Sequence, residues 1–277
     1  MKTKKKKLFI ILFALLTAVL ILAAVFIIRG RSKKRKIELP VKIALIDTGI
    51  SKYAINEKYI GSGHNYVTND DNTMDNLGHG TAVAGIIVGS EKAGITGVVD
   101  NVLLIPLVCS TLDDDEKTQF VDISTLSQMI RDAVDIYECS IINVSSGIKT
   151  DYDELKAAVE YATSKGALVI SCAGNEGTEA VYYPGGYEDV ICVGSLNETL
   201  SERADFSQNN NTVDVLAPGE KISVSTIKGN TIPASGTSYS AAYFTGCAAK
   251  IWSENPGYSV KKVMKKLKKE YKNLKFM

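Results

Sequence analysis

Apolar positions along the chain fall into three patterns. Leu8 to Ile28 is a continuous run of twenty-one residues with no charge and Thr17 as its one polar member. As a helix rising 1.5 Å per residue it spans about 30 Å, the thickness of a bilayer core. Short, mostly apolar runs recur further on, at Val41–Ile46, Val102–Val108, Ser140–Val144, Ala167–Cys172 and Val190–Val193. The third pattern is helical spacing. It covers Ser124–Tyr137, through Leu126, Met129, Ile130, Ala133 and Val134, and Asp153–Ser164, through Leu155, Ala158, Val159 and Ala162, with Gly166 closing the segment. It returns in the tail at Val260, Val263, Met264, Leu267, Tyr271 and Leu274. Strands alternating with helices predict parallel pairing through crossovers, hence an α/β sandwich whose ligands sit at the carboxyl ends of the strands. Asp113–Glu116 and Asn209–Asn211 read as loop tips.

The first run reads as an uncleaved membrane anchor. A signal peptide is the competing reading, but its apolar region is normally about 7 to 15 residues, and Ala23-Ala24-Val25 runs on into Phe26-Ile27-Ile28 with no clear cleavage signal. The expected organisation is a basic flank at 1–7, a transmembrane helix at 8–28, a basic linker at 29–40 and one folded domain at 41–277. Five lysines precede the span and six basic residues follow it, so charge alone does not orient it.

Composition sharpens this division. The net charge of +1 conceals eleven basic and no acidic residues in 1–36, 12 basic against 29 acidic in 37–249, and nine lysines against two glutamates from Lys250 onward. An acidic body argues against a nucleic-acid surface. The tail lysines fill the face opposite the apolar stripe, as a solvated docked helix would or as a contact with anionic lipid headgroups would. Cys109, Cys139, Cys172, Cys192 and Cys247 fit no metal spacing and give no disulfide framework, so they are expected to be small buried hydrophobes.

Three short motifs carry candidate chemistry. Asp47 closes the first strand in Ile46-Asp47-Thr48-Gly49, His79 opens a small-residue helix in Gly78-His79-Gly80-Thr81, and Ser238 opens another in Gly236-Thr237-Ser238. Singly each has a plain alternative, since a strand-ending Asp is often a turn former and a Ser or Thr at a helix start is often an N-cap. Together they supply what acyl transfer needs. A serine hydroxyl attacks a carbonyl only when a base takes its proton, and histidine is the usual base near neutral pH. The chain has two histidines, and His64, in the polar Gly63-His64-Asn65, reads as a solvated loop residue.

At these residues the chain resembles the subtilisin-like serine proteases, in register from Val41 to about Tyr258. Ala173-Gly174-Asn175-Glu176-Gly177 is similar to the family segment that supplies an oxyanion-hole side chain, here Asn175. Asn143-Val144-Ser145-Ser146-Gly147 is similar to the edge strand that pairs with the substrate backbone. Arg203-Ala204-Asp205-Phe206-Ser207, Val215-Leu216-Ala217-Pro218-Gly219 and Asn255-Pro256 extend the register. The resemblance implies a three-layer sandwich around a mostly parallel sheet, peptide or protein substrates, and no cofactor. It implies that Ser238 attacks, His79 moves the proton, Asp47 orients the imidazole, and Asn175 with the Ser238 N–H binds the oxyanion.

Several positions depart from the family pattern. Tyr239, Ala242 and Tyr243 stand where Met, Pro and His are usual after the nucleophile, and Ala82 replaces a second His. Those changes alter packing and leave the chemistry in place. The segment from Asn175 to Pro184 is shorter than in secreted subtilisins, and by the resemblance Tyr182 falls near the family's small residue at the base of the primary specificity pocket. A shallow pocket for small side chains, a basic side chain attracted by Glu176, and a Tyr182 displaced to the surface are the open alternatives. The Ser90–Gly97 loop is short and poor in carboxylates, so no tight calcium site is expected there, and ten residues before Asp47 leave no room for an inhibitory propeptide. The expected protein is a membrane-anchored endopeptidase with an external catalytic domain, of the kind that matures secreted peptides. A silent peptide-binding module and a transpeptidase are the alternatives.

Overall fold

The structure, a computed structural model, describes residues 40–277. The expected flank at 1–7, the span at 8–28 and the linker up to residue 39 lie outside the described residues. Among the described residues no helix is long and apolar enough to cross a membrane.

In chain order the first strands are β1 (Val41–Asp47), β2 (His64–Asn65), β3 (Gly89–Ser90), β4 (Ile95–Thr96) and β5 (Val102–Val108). They are followed by β6 (Ser110–Leu112), β7 (Thr118–Phe120), β8 (Ile141–Val144), β9 (Leu168–Cys172) and β10 (Val190–Leu196). The last are β11 (Val215–Pro218), β12 (Ile222–Ser225), β13 (Thr231–Ala234) and β14 (Lys275–Phe276). The helices are α1 (His79–Val88), α2 (Ile123–Asp135), α3 (Asp153–Ser164), α4 (Thr237–Glu254) and α5 (Val260–Glu270). Among the described residues, eight strands form one sheet in the order β14-β11-β10-β9-β8-β1-β5-β2. Every pairing in it is parallel except the last, β11 with β14.

β1 shows why the sheet is covered on both faces. Val41, Ile43 and Leu45 join one core with Val83 and Ile87 of α1 and Phe244 and Ala248 of α4. Ala44 and Ile46 join the opposite core with Met129 and Ile130 of α2 and Leu155 and Val159 of α3. Alternate side chains point to opposite faces, so a strand between two helical layers must be apolar at consecutive positions. The three-layer α/β sandwich expected from the sequence is thus present.

Three local expectations change. The tail stripe does not continue as one helix: α5 stops at Glu270, Leu274 remains buried, and Lys275 and Phe276 turn back to pair with Leu216 and Val215. An unpaired edge at β11 would leave open backbone groups, and β14 occupies them. Asp113–Glu116 is indeed a loop tip, but it joins β6 and β7 into a hairpin that apolar periodicity did not reveal. Asn143 to Val144 belong to β8, which lies inside the sheet between β9 and β1 and is no edge; only Ser145–Gly147 run free past its carboxyl end.

All five cysteines are buried and none forms a disulfide. Burial pushes the Cys109, Cys192 and Cys247 thiols up to about 12, far from the reactive thiolate. α5 docks on the core through Val263 and Leu267, both at 0% exposure, while Lys261, Lys262, Lys265, Lys268 and Lys269 stay exposed. Leu267→Ala is expected to cost about 2–5 kcal/mol in urea unfolding, and Lys265→Ala to stay within about 0.5 kcal/mol of the parent.

Candidate active site

The sheet order reverses beside β1. The chain passes from β1 through α1 to β5 on one side, then through α2 to β8 on the other. The crevice at such a switch point, past the carboxyl ends of the strands, is where open α/β sheets bind ligands. Asp47 ends β1, His79 begins α1, Ser238 is the second residue of α4, and Asn175 lies in the loop after β9. The fold gathers all four sequence candidates at this edge.

Asp47 is 4% exposed, and its Oδ1 accepts from the Thr48 N–H at 2.8 Å and from His79 Nδ1 at 2.7 Å. A carboxylate oxygen only accepts, so Nδ1 carries the proton and the basic lone pair is left on Nε2. The Asp47 charge raises the His79 pKa above the ordinary histidine value; burial opposes the shift, and the bond to Asp47 and the charge of Asp75 add to it. Close approach of α1 depends on Gly80, where a β-carbon would stand 2.2 Å from the Gly49 carbonyl oxygen. The Tyr239 ring lies 5.7 Å from the imidazole, centroid to centroid, so the residue that departs from the family pattern packs beside the base.

Asp75 holds the two halves of this pair together. It is buried at 3% exposure. Its Oδ1 accepts from Thr48 Oγ1 at 2.9 Å, Leu77 N at 3.0 Å and Gly78 N at 2.7 Å; its Oδ2 accepts from Thr81 N at 2.9 Å and Thr81 Oγ1 at 2.6 Å. Thr48 Oγ1 in turn accepts from Gly80 N at 2.8 Å. Asp75 therefore braces the residue after Asp47 against the backbone on both sides of His79. Sequence reasoning missed it, because an Asp in the polar run Thr73-Met74-Asp75-Asn76 looks like a turn former.

Ser238 is 7% exposed and its Oγ donates to the Ser145 carbonyl at 3.0 Å. No hydrogen bond between Ser238 and His79 is present among the described residues. Catalytic bonds of unliganded enzymes often tighten only when substrate binds. The Ser238 N–H lies in the first helical turn, where donors have no intrahelical acceptor. Asn175 Oδ1 accepts from the N–H and the hydroxyl of Thr237, each at 2.8 Å, and Thr237 Oγ1 accepts from Gly174 N at 3.1 Å. With its oxygen so engaged, the Asn175 amide keeps its NH₂ as the donor end.

Of the expected substrate-side residues, Ser145 is buried and takes the Ser238 hydroxyl, while Ser146 and Gly147 are exposed. Tyr182 is half-buried, with its ring beside Gly174 and its Cβ beside Gly147. Glu176 Oε1 bonds Lys149 Nζ at 2.8 Å, a partner the sequence did not suggest. A cleft of about 430 Å³ adjoins His79, bounded by Leu77, Cys109, Phe120 and Ser146. A cavity of about 470 Å³ between Lys52, Gly61 and Tyr137 contains none of these groups. His64 lies apart, bonded to Asp71 and Asn69. Among the described residues, no group of three or more His, Cys, Asp or Glu side chains is arranged to hold a metal.

Fold and site together have the form of a serine hydrolase. Residues 40–275 match the model of the subtilase family, Peptidase S8, and the chain belongs to that family of serine proteases. Subtilisin BL from Lederbergia lenta is 33% identical over 230 residues, which is 82% of this chain and 82% of its own. A thermophilic serine proteinase from Bacillus sp. strain AK1 is 36% identical over 218 residues, 77% of this chain; the match spans about half of that relative's length, 52%. Among solved structures, the prenylagaramide maturation protease PagA superposes with a TM-score of 0.65 at 25% identity, covering 79% of this chain and 77% of its own.

The brace yields a prediction whose sign is fixed. The negative charge of Asp75 raises the His79 pKa, so Asp75→Asn lowers it and keeps the imidazole neutral to lower pH. The acidic limb of kcat/KM against pH is expected to move to lower pH, with the plateau reduced. An acidic limb that stays in place while the plateau falls would show the carboxylate to be purely structural.

Proposed function

We propose that this subtilase hydrolyses peptide bonds through an acyl-enzyme on Ser238. The observation that carries the reading is the 2.7 Å bond between His79 Nδ1 and the buried Asp47, which leaves Nε2 as a base at the edge where Ser238 sits. When a peptide carbonyl enters, Ser238 Oγ exchanges the Ser145 carbonyl for Nε2, gives up its proton and bonds to the carbonyl carbon. The oxygen takes the negative charge between the Asn175 NH₂ and the Ser238 N–H. Imidazolium, stabilised by Asp47, gives the proton to the leaving nitrogen as the oxyanion reforms the carbonyl; the C–N bond breaks with its electron pair on the amine, and the acyl group stays on Ser238 Oγ as an ester. Water then repeats the sequence on the ester and frees Ser238.

The finer reading is a membrane-anchored maturation protease, with the span at 8–28 holding an external catalytic domain beside the membrane. Its support is the uncharged run Leu8–Ile28, together with the likeness to PagA, a prenylagaramide maturation protease. The intact constellation disfavours a silent binding module.

A fluorophosphonate probe is expected to label the full chain and not Ser238→Ala, and the substitution is expected to lower peptidase turnover by about 10⁴-fold or more. Equal labelling of the two would refute the assignment of the nucleophile. Products that incorporate an added amine instead of water would identify a transpeptidase. In membrane fractionation, the full chain is expected to resist extraction by high salt and carbonate and to be released by detergent, whereas a chain starting at residue 37 is expected in the soluble fraction. Salt release of the full chain would remove the anchor reading.

A further inference from the structure

A substrate residue whose carbonyl carbon meets Ser238 Oγ would lie between the two backbone segments that bond the nucleophile's turn, through Ser238 Oγ to the Ser145 carbonyl and through Gly174 N to Thr237 Oγ1. One is Ser145–Gly147 past β8 and the other is Ala173–Asn175 past β9. Each segment presents a glycine to this space, and the Tyr182 ring is already there. A β-carbon on Gly174 would stand 2.7 Å from Tyr182 Cδ2, and one on Gly147 would stand 3.2 Å from Tyr182 Cβ. Backbone bonds on either side of Tyr182 fix it in place. Tyr183 N donates to the Ile148 carbonyl at 2.7 Å, Ile148 N to the Tyr183 carbonyl at 3.0 Å, and Gly186 N to the Tyr182 carbonyl at 2.8 Å.

An ion pair joins the two walls. Lys149, just past Gly147, reaches Glu176, just past Asn175, at 2.8 Å, and its ammonium lies 5.5 Å from the Tyr182 ring centroid. Both side chains are about half exposed, so this pair alone is too weak to close the space. It does match the charge of Glu176 and so removes the reason for that residue to select a basic substrate side chain. The cleft of about 430 Å³ between Leu77 and Phe120, by contrast, stays open and is mostly apolar.

We propose that Tyr182 fills the pocket for the side chain preceding the scissile bond, so that the chain cleaves after glycine or alanine and excludes larger residues. Recognition then comes from residues further toward the substrate's amino terminus, whose apolar side chains enter the cleft under Phe120 while their backbone pairs with Ser145–Gly147. The proposal rests on the reading of Ser238 as nucleophile.

Two measurements on the full chain in detergent test it. In the first, peptides differing only in Ala or Phe before the cleaved bond are compared by kcat/KM for the parent, Tyr182→Ala and Tyr182→Phe. The parent is expected to prefer Ala, Tyr182→Ala to shift the ratio toward Phe by about tenfold or more, and Tyr182→Phe, which keeps the ring, to retain the parental ratio. In the second, peptides ending in Ala or Phe are titrated by fluorescence anisotropy into Ser238→Ala, which reads the pocket without any chemistry. Tighter binding of the Ala-terminated peptide is expected, and Tyr182→Ala added to Ser238→Ala is expected to reverse or abolish that preference. A parent that favours Phe, or a ratio unmoved by Tyr182→Ala, overturns the proposal. Fluorophosphonate labelling run beside the kinetics separates that failure from a misassigned nucleophile, because loss of labelling leaves the anisotropy result to decide the pocket.

Discussion

The geometry of the site depends on one buried carboxylate that is not itself part of the reacting constellation. Asp75 receives five hydrogen bonds from Thr48, Leu77, Gly78 and Thr81. A buried charge is tolerated only when it is so satisfied, and the donors that satisfy Asp75 belong to the two segments carrying Asp47 and His79. The cost of keeping that charge out of water is thereby converted into a fixed distance between acid and base. Beside it, the end of β1 and the start of α1 are joined by the Asp47–His79 contact and by the bonds from Gly80 N to Thr48 Oγ1 and from Ser51 N to Thr81 Oγ1.

Around that joint the sheet does the coarse positioning. Helices on both faces make the strands apolar at consecutive residues and bury their middles, so polar chemistry is displaced to the strand ends. α4 runs through the core on small side chains, Ala241, Ala242, Gly246, Ala248 and Ala249, all but Gly246 in the core cluster itself. At Gly246 a β-carbon would meet Val98 at 2.7 Å. Small residues let the helix lie close beneath the strands, and that closeness sets the height at which Ser238 emerges beside Asn175. Thr237 then serves twice, orienting the Asn175 amide and bonding the Gly174 N–H that precedes it.

Much of this was legible in the amino-acid sequence because it is local. The runs that became β1, β5, β8, β9 and β10 are apolar at successive positions, and the Asp, His and Ser motifs each sit where an apolar run stops or a small-residue helix starts. Boundaries moved by a residue or two where capping decided them, as at α2, whose start is fixed by Asp122 accepting from the Thr125 N–H. What was illegible is non-local. Asp75 and Lys149 differ in no way from other polar loop residues until the fold brings Thr48 or Glu176 to them. The tail stripe misled because Leu274 keeps helical spacing with Leu267 while the chain between them has left the helix to close the edge of β11. The family register placed Tyr182 near the pocket, but its packing against Gly147 and Gly174 required the backbone.

The five cysteines carry a consequence of a different kind. Each is enclosed in the domain, and burial holds most of their thiols well above the ordinary range. The covalent structure of the domain is therefore the same under oxidising and reducing conditions, with no crosslink to be made on one side and none to be lost on the other. A domain built in this way reaches its fold with no oxidative step, so the redox state of its surroundings does not decide whether it is covalently complete.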